Sequence, residues 1–336
     1  MSGPGGAAPR EVELLARQRA DARAARDWAA ADTLRAEIEA AGWKVIDQGL
    51  RFRLEPAHPP NVETGGRIRY GASTSVPSRL AEPATGMATV VMTADRWPED
   101  LARAVDGLRA HAPAGTQVVI VANDPTPEQA AALEAPDGPA TAPVAGSRPE
   151  QVWTSAPLGH AAALNAGIRR ATGGIVVLLD TSVEPVGDVV GPLVAALQEP
   201  SVAVAGGWGT VSPDLHRFED APPGEVDAVD ACLLAFRRDD YAARGPLDER
   251  FRYHRHLDAW WSLVLRDEGA SGRHRRGVSL ELPAVRHAHR GDTSVAEPER
   301  DRLSRRNFYR IIDRFGSRRD LLVNPAPVVR RSHRPG

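Results

Sequence analysis

The stretch at 157–185, PLGHAAALNAGIRRATGGIVVLLDTSVEP, constrains the fold more than any other part of the chain. Gly159 opens a turn, and 161–171 is rich in strong helix formers. Thr172-Gly173-Gly174 stops that helix. Residues 175–179, IVVLL, form an apolar run short enough for a strand buried on both faces. Asp180 follows at once. In an open α/β sheet, ligands gather outside the carboxyl ends of the strands. The stretch therefore predicts a helix, a break, a buried strand and a carboxylate placed to meet a metal or a nucleotide.

The surroundings repeat this alternation. Strands are expected at 88–93, 117–122, 152–153, 202–208, 226–236 and 278–282. Helices are expected at 98–111, 186–197 and 257–265, with an amphipathic helix in the region from 301, carrying Leu303, Phe308, Ile311, Ile312 and Phe315. Strands alternating with helices argue an α/β fold on a mainly parallel sheet. Ahead of it, 56–86 holds five prolines and no periodicity, which reads as a linker. The expected organisation is a disordered start (1–10), a helical hairpin module (11–56), a linker (57–86), the α/β domain (87–325) and a tail (326–336).

Composition excludes some classes. The 336 residues carry a net charge of −2, which argues against a wholly basic nucleic-acid binder. Cys232 is the one cysteine, so no internal disulfide and no zinc–cysteine site is available. There is no 18-residue apolar run, and the first residues lack the basic start and apolar core of a signal peptide. A cytoplasmic location is expected.

In the module, Leu14, Leu15 and Ala22, then Trp28, Ala31, Leu34 and Ile38, recur at helical spacing, and Asp27 can cap the second helix. Gly42 ends it, and 43–46 and 50–54 alternate around Gln48-Gly49 as a small β-hairpin. Through Ala22-Arg23, Arg26-Asp27-Trp28, Ala31-Asp32, Leu34-Arg35, Glu37-Ile38, Gly42, Val45 and Asp47, this piece resembles the C-terminal helical module of bacterial cysteinyl-tRNA synthetases. The resemblance implies a fold and, in that family, a position close to tRNA. It does not imply aminoacylation, since no synthetase nucleotide-binding signature is present. Reuse as a docking or oligomerisation module is preferred to tRNA binding.

The α/β region resembles the family-two glycosyltransferases of GT-A fold. The carrying landmarks come in order: the strands ending near Ala94 and Asn123; Gly159, Asn165 and Gly167; Leu178-Leu179-Asp180-Thr181-Ser182 at the place of the DxD motif; Phe236-Arg237-Arg238-Asp239; residues 245–251, GPLDERF; and the helix from Asp258 to Leu265 with Arg266 and Gly269. The resemblance implies a metal-assisted, inverting transfer of sugar from a nucleotide-diphosphate sugar. The acceptor class is open among carbohydrate, lipid-linked and small molecules. It implies donor contacts at Thr93, Asn123, Asp124, Gly159, Asn165, Asp180 and Ser182. It also implies a divalent cation, Mn or Mg, on Asp180 with His287 or His289, which flank Ala288 at strand spacing.

The chain departs from the family pattern at three places. Ser182 replaces the second DxD acid, and Ala122-Asn123 replaces the acidic pair that reads uracil, with Asp124 one residue late. Arg255-His256-Leu257-Asp258 stands where an acidic pair supplies the base. His256 is therefore the expected base, with Asp258 as its orienter or substitute. The alternative is a GT-A domain that has lost turnover and binds nucleotide-sugar beside an adaptor; a weaker one is an RNA-associated module. The arginine-crowded last helix reads first as a solvated face, and as a peripheral membrane or phosphate contact second.

Overall fold

The computed structural model describes residues 8–49, 51–269, 274–291 and 295–325. Leu50 of the hairpin, the tail and most of the expected disordered start lie outside the described residues. The chain divides into two compact units, Met1–Ser75 with Thr154–Ala156, and Val76–Trp153 with Pro157–Gly336.

The smaller unit begins with α1 (Arg10–Ala24) and α2 (Trp28–Ala40), followed by the antiparallel pair β1 (Trp43–Gln48) and β2 (Arg51–Pro56). Asp27 caps α2, accepting the Ala30 N–H at 3.0 Å. Val12, Ala16 and Ile38 form the core, with Trp43, Val45, Phe52 and Leu54 packed on it. Arg19 donates to both oxygens of Asp47 at 2.8 and 3.1 Å, which holds that carboxyl below its ordinary value. Leu14 and Trp28 share the helical spacing but not the core, being 57% and 58% exposed. The seam of α1 runs through Val12, Ala16 and Arg19, too narrow to include them, and Arg23 lies over the Trp28 ring instead. The expected linker is corrected in its first half. Val62–Thr64 (β3) and Arg67–Tyr70 (β4) pair as a hairpin through Gly65-Gly66, and both strands are too short to register as a pattern among prolines.

The larger unit opens with β5 (Gly86–Ala94), α3 (Pro98–His111), β6 (Thr116–Ala122), α4 (Pro127–Glu134), β7 (Glu150–Thr154), α5 (His160–Ile168) and β8 (Gly173–Leu179). It continues through β9 (Val183–Pro185), α6 (Val190–Ala196), β10 (Val202–Gly206), β11 (Gly209–Val211), β12 (Glu219–Ala221), β13 (Gly224–Val226), β14 (Ala228–Val229) and β15 (Leu233–Arg237). It closes with α7 (Arg238–Arg244), α8 (Leu257–Arg266), β16 (Arg276–Ser279), β17 (Ala284–Arg286) and α9 (Glu297–Phe315).

Its sheet runs β13-β16-β10-β15-β8-β5-β6-β7. β8, β5, β6 and β7 are parallel, while β15 runs antiparallel to both β8 and β10. Val90, Met92, Val118, Ile120, Val177 and Leu179 alternate onto the face that receives Leu101, Val105 and Leu108 of α3. On the other face α5 lies directly on the strands. A Cβ on Gly167 would fall 2.4 Å from Val91 Cγ1, so only glycine allows that approach.

Two expectations change. The strand read at 226–236 is broken by a turn at Asp230-Ala231-Cys232, where Asp230 Oδ1 accepts the Cys232 N–H at 2.9 Å. Apolar residues on both sides of Asp227 and Asp230 let the segment read as one strand. The helix read from 186 starts at Val190, because Asp188 Oδ1 accepts the N–H groups of Val190 and Gly191, both at 2.9 Å. Just ahead of the released residues, β9 pairs antiparallel with β17.

The helix α8 is anchored at its far end. Arg266 is fully buried and donates to the carbonyls of Asp227 at 2.7 Å, Leu321 at 2.6 Å and Arg275 at 3.1 Å. Asp227 in turn accepts from the N–H groups of Ser212 at 2.6 Å and Val323 at 2.7 Å. Every strong polar group of this pair is satisfied, so it fixes α8 against the segment after α9.

Candidate functional site

The carboxyl ends of β5, β6 and β8 open into a cleft of about 510 Å³, walled by Thr93, Asn123, Gly159 and Asp180 on the sheet side. Arg252, His289 and residues of α9 close the other side. A second cavity, about 420 Å³, lies behind it and holds Asp230, Cys232, His256, Asp258 and Ser304. The two share a wall made of His160, Asp180, Ser182, His254 and His289.

Asp180 is built into this wall by its neighbours. Its N–H donates to the Cys232 carbonyl at 2.9 Å, and its Oδ1 accepts the Ser182 N–H at 2.8 Å. The Ser182 carbonyl accepts the His287 N–H at 2.8 Å, which draws the segment after β17 toward Asp180. His289 Nε2 then lies 3.4 Å from Asp180 Oδ2. Burial pushes the Asp180 carboxyl up, but hydrogen bonds from His289 and Ser182 outweigh it and hold the group well below the usual carboxylate range. The neighbouring rings pack at an angle to one another, 47° for His254 and His289 and 71° for His254 and His160. His254 is 4.5 Å from His289 and 6.0 Å from His160, centroid to centroid. Burial lowers His160 to about 4, so its imidazole is neutral at pH 7.

Asp258 has the opposite setting. It sits in the first turn of α8, with Oδ1 accepting the Ala259 N–H at 2.8 Å. Burial, reinforced by the charge of Asp230, pushes its carboxyl up to about 7. His256 precedes it with φ 68°, and its Nε2 is 3.0 Å from Ser304 Oγ of α9. Burial, then Arg255, lowers the His256 pKa.

The sequence-derived set divides. Thr93, Asn123, Gly159, Asp180, Ser182 and His289 come together around the cleft, and His256 and Asp258 around the cavity behind it. Asn123 also holds the cleft's rim, accepting the Leu158 N–H at 3.0 Å. The remaining three stand apart from both cavities. Asn165 lies outside both cavities: it is 2% exposed and bonded to Leu247, Glu249 and Tyr241, so it fastens α5 to the 247–249 turn. His287 faces Glu184 at 2.8 Å and lines neither cavity, whereas His289 lines both. Asp124 is exposed, with φ 51°, and also lines neither.

Other residues in these walls escaped the sequence reading. Asp95 lines the cleft one residue beyond β5, and burial raises its pKa. The strand-end rule that selected Asp180 would have found it. His160 lay within the opening stretch, but His254, Arg252 and Asp230 had no pattern to mark them.

Asp180 and His289 offer an oxygen and a nitrogen to one cavity, a mixed donor pair that fits a divalent transition-metal ion without selecting which one. Their 3.4 Å separation is compatible with shared coordination at metal–ligand distances of about 2.1 Å. Among the described residues no group of three or more His, Cys, Asp or Glu side chains is arranged to hold a metal. Further ligands would have to come from a bound donor or water. Among the described residues no helix is long and apolar enough to cross a membrane.

The architecture and the strand-end cleft define a GT-A domain. Residues 89–244 match the family model for glycosyl transferase family 2. The crystal structure of GalNAc-T7 with UDP, GalNAc and Mn2+ superposes with a TM-score of 0.52 at 13% identity, covering 68% of this chain and 47% of that one. The mannosyltransferase PcManGT from Pyrobaculum calidifontis, in complex with GDP-Man and Mn2+, aligns at 18% identity over 62% of this chain and 59% of that one, with a TM-score of 0.44. A cysteine–tRNA ligase of Opitutus terrae is 51% identical over 49 residues, 15% of this chain and 11% of the ligase. The chain thus spans about half of GalNAc-T7 and about a tenth of the ligase.

Proposed function

We propose that the chain transfers a sugar from a nucleotide-diphosphate sugar to an acceptor hydroxyl with inversion, in the cytoplasm, with Asp258 as the general base. The observation that carries this reading is the pairing of Asp180 and Asp258 on adjoining cavities, one held ionised and one poised near neutrality. Such divergent settings mark divided acid–base roles.

The donor would occupy the larger cleft, with its nucleoside toward Thr93, Asp95 and Asn123 and its diphosphate toward Asp180 and Arg252. A divalent ion on Asp180 and His289 would offset the charge that develops on the leaving diphosphate. Asp258 takes the proton from the acceptor hydroxyl. The oxygen attacks the anomeric carbon from the face opposite the leaving group, and the bond to the diphosphate breaks. His256, bonded to Ser304, positions the start of α8 rather than carrying the proton. The N-terminal unit serves as a docking or oligomerisation module.

The test is titration and turnover with UDP-, GDP- and dTDP-sugars, with and without Mn2+. Asp258→Asn should bind donor as the parent does and fail to turn it over. Parent-level turnover in Asp258→Asn, with loss in His256→Ala, would return the base role to His256.

A further inference from the structure

The last helix carries an arrangement that the transfer chemistry does not use. Arg302, Arg305, Arg306, Tyr309 and Arg310 recur along α9 at three- and four-residue steps, so they share one face. With Asp313 they line a groove of about 490 Å³. Arg302 and Arg306 are also walls of the donor cleft, so groove and cleft meet at those two side chains. Ser304 of the same helix reaches the cavity of Asp258.

The charge of this face is only partly compensated from within. Arg302 is held by Glu299 at 2.6 Å, and Arg305 Nε donates to the Asp301 carbonyl at 3.3 Å. Among the described residues no carboxylate forms an ion pair with Arg305, Arg306 or Arg310, and 302–312 contains no acid. Arg310 lies over the Phe251 ring at 5.9 Å, with its Nε shielded from solvent and without a hydrogen-bond partner. Burial lowers its pKa, Arg250 and Arg306 add to that, and Asp248 and Asp313 oppose it. Like charges four residues apart destabilise a helix, so the stripe costs the fold something in the absence of an anion. In a chain of net charge −2, this is a local feature rather than a basic surface.

From Arg302 to Arg310 the stripe rises about 12 Å along the helix axis, and guanidinium groups match phosphate oxygens in geometry and charge. A membrane-surface helix would present an apolar face beside its cations, whereas Tyr309 alone is an exposed large hydrophobic on α9. We propose that this groove anchors the acceptor, and that the acceptor is a soluble phosphate ester gripped by Arg305, Arg306 and Arg310 while its hydroxyl reaches the cavity of Asp258. The inference rests on the transferase reading above and names the acceptor class for it.

Phenyl phosphate titrated into the full chain at low ionic strength tests it, beside the double variant Arg305→Gln/Arg310→Gln. The parent chain should bind, and the variant should bind about tenfold more weakly, since bidentate charge-assisted bonds to phosphate are lost. Its thermal midpoint should be equal or higher, because like-charge repulsion is relieved. Equal affinity in the two proteins, or no binding by the parent, overturns the proposal. Co-sedimentation of the parent with phosphatidylglycerol vesicles, without phenyl phosphate binding, also overturns it and gives the groove to a lipid surface. UDP and GDP affinities are read separately: their absence would remove the transferase reading while leaving the phosphate result standing.

Discussion

Asp180 and Asp258 stand on adjoining cavities and are both taken largely out of water, yet their carboxyl groups are driven in opposite directions. Around Asp180, an imidazole and a backbone N–H donate to the charged form and overcome burial. Around Asp258, burial and the charge of Asp230 outweigh the donors that reach it, including the Ala259 N–H. The difference teaches that burial alone does not set a carboxylate's role; the neighbouring charged group does, His289 beside Asp180 and Asp230 beside Asp258.

The widest gap between the two should appear in turnover. Asp258→Asn should lower the transfer rate by about 10²–10⁴-fold, as loss of a general base does, with donor affinity retained. Asp180→Asn should cost about 10²–10³-fold and abolish any Mn2+ dependence of nucleotide affinity. If both variants lose donor binding equally, the division of roles fails.

Stability should move in opposite directions. The folded Asp258 carboxyl, near 7, lies above its unfolded value of 3.8, so the fold binds the extra proton between those values. Its contribution is full below about pH 4 and is lost as pH rises through about 7. At pH 8, Asp258→Asn should therefore be more stable than the parent, by on the order of 1–3 kcal/mol. Asp180 has its pKa lowered, so its contribution is present at neutral pH and Asp180→Asn should be less stable there. Chemical denaturation of the three proteins at pH 8 reads both signs. The pH–rate profile sharpens the same contrast: transfer should rise as Asp258 ionises and level off above about pH 7.

Smaller effects bound the site. Asn165→Ala should destabilise by about 1–3 kcal/mol, since buried partners lose their bonds, while donor affinity stays as in the parent. His287→Ala should change the rate by less than about twofold, because His287 lines neither cavity and its half-exposed contact with Glu184 contributes little. A large loss of rate in His287→Ala would mean that it, and not His289, works with Asp180.

The sequence made the framework legible where local signals agreed. The helix at 98–111 follows from apolar periodicity alone, and the strand expected at 202–208 forms over 202–206. What it hid were contacts made by distant segments. Nothing near Asn165 announces that Leu247 and Tyr241 will saturate its amide. Strand spacing placed His287 and His289 together, but β17 ends at Arg286, so the alternation does not extend to both. Asp258 read only as the orienter or substitute of His256, because the pattern shows its neighbours in sequence, not Asp230 across the turn that breaks 226–236.

The wall of His160, His254 and His289 between the two cavities has a kinetic consequence. Ligands on either side of one partition cannot be independent in their order of arrival. A diphosphate seated against Asp180 and His289 braces the face that the acceptor side leans on, so the donor should bind first and the nucleoside diphosphate should leave last. Product inhibition by that diphosphate would then be competitive toward the donor and noncompetitive toward the acceptor, a signature that steady-state rates reveal without any structure.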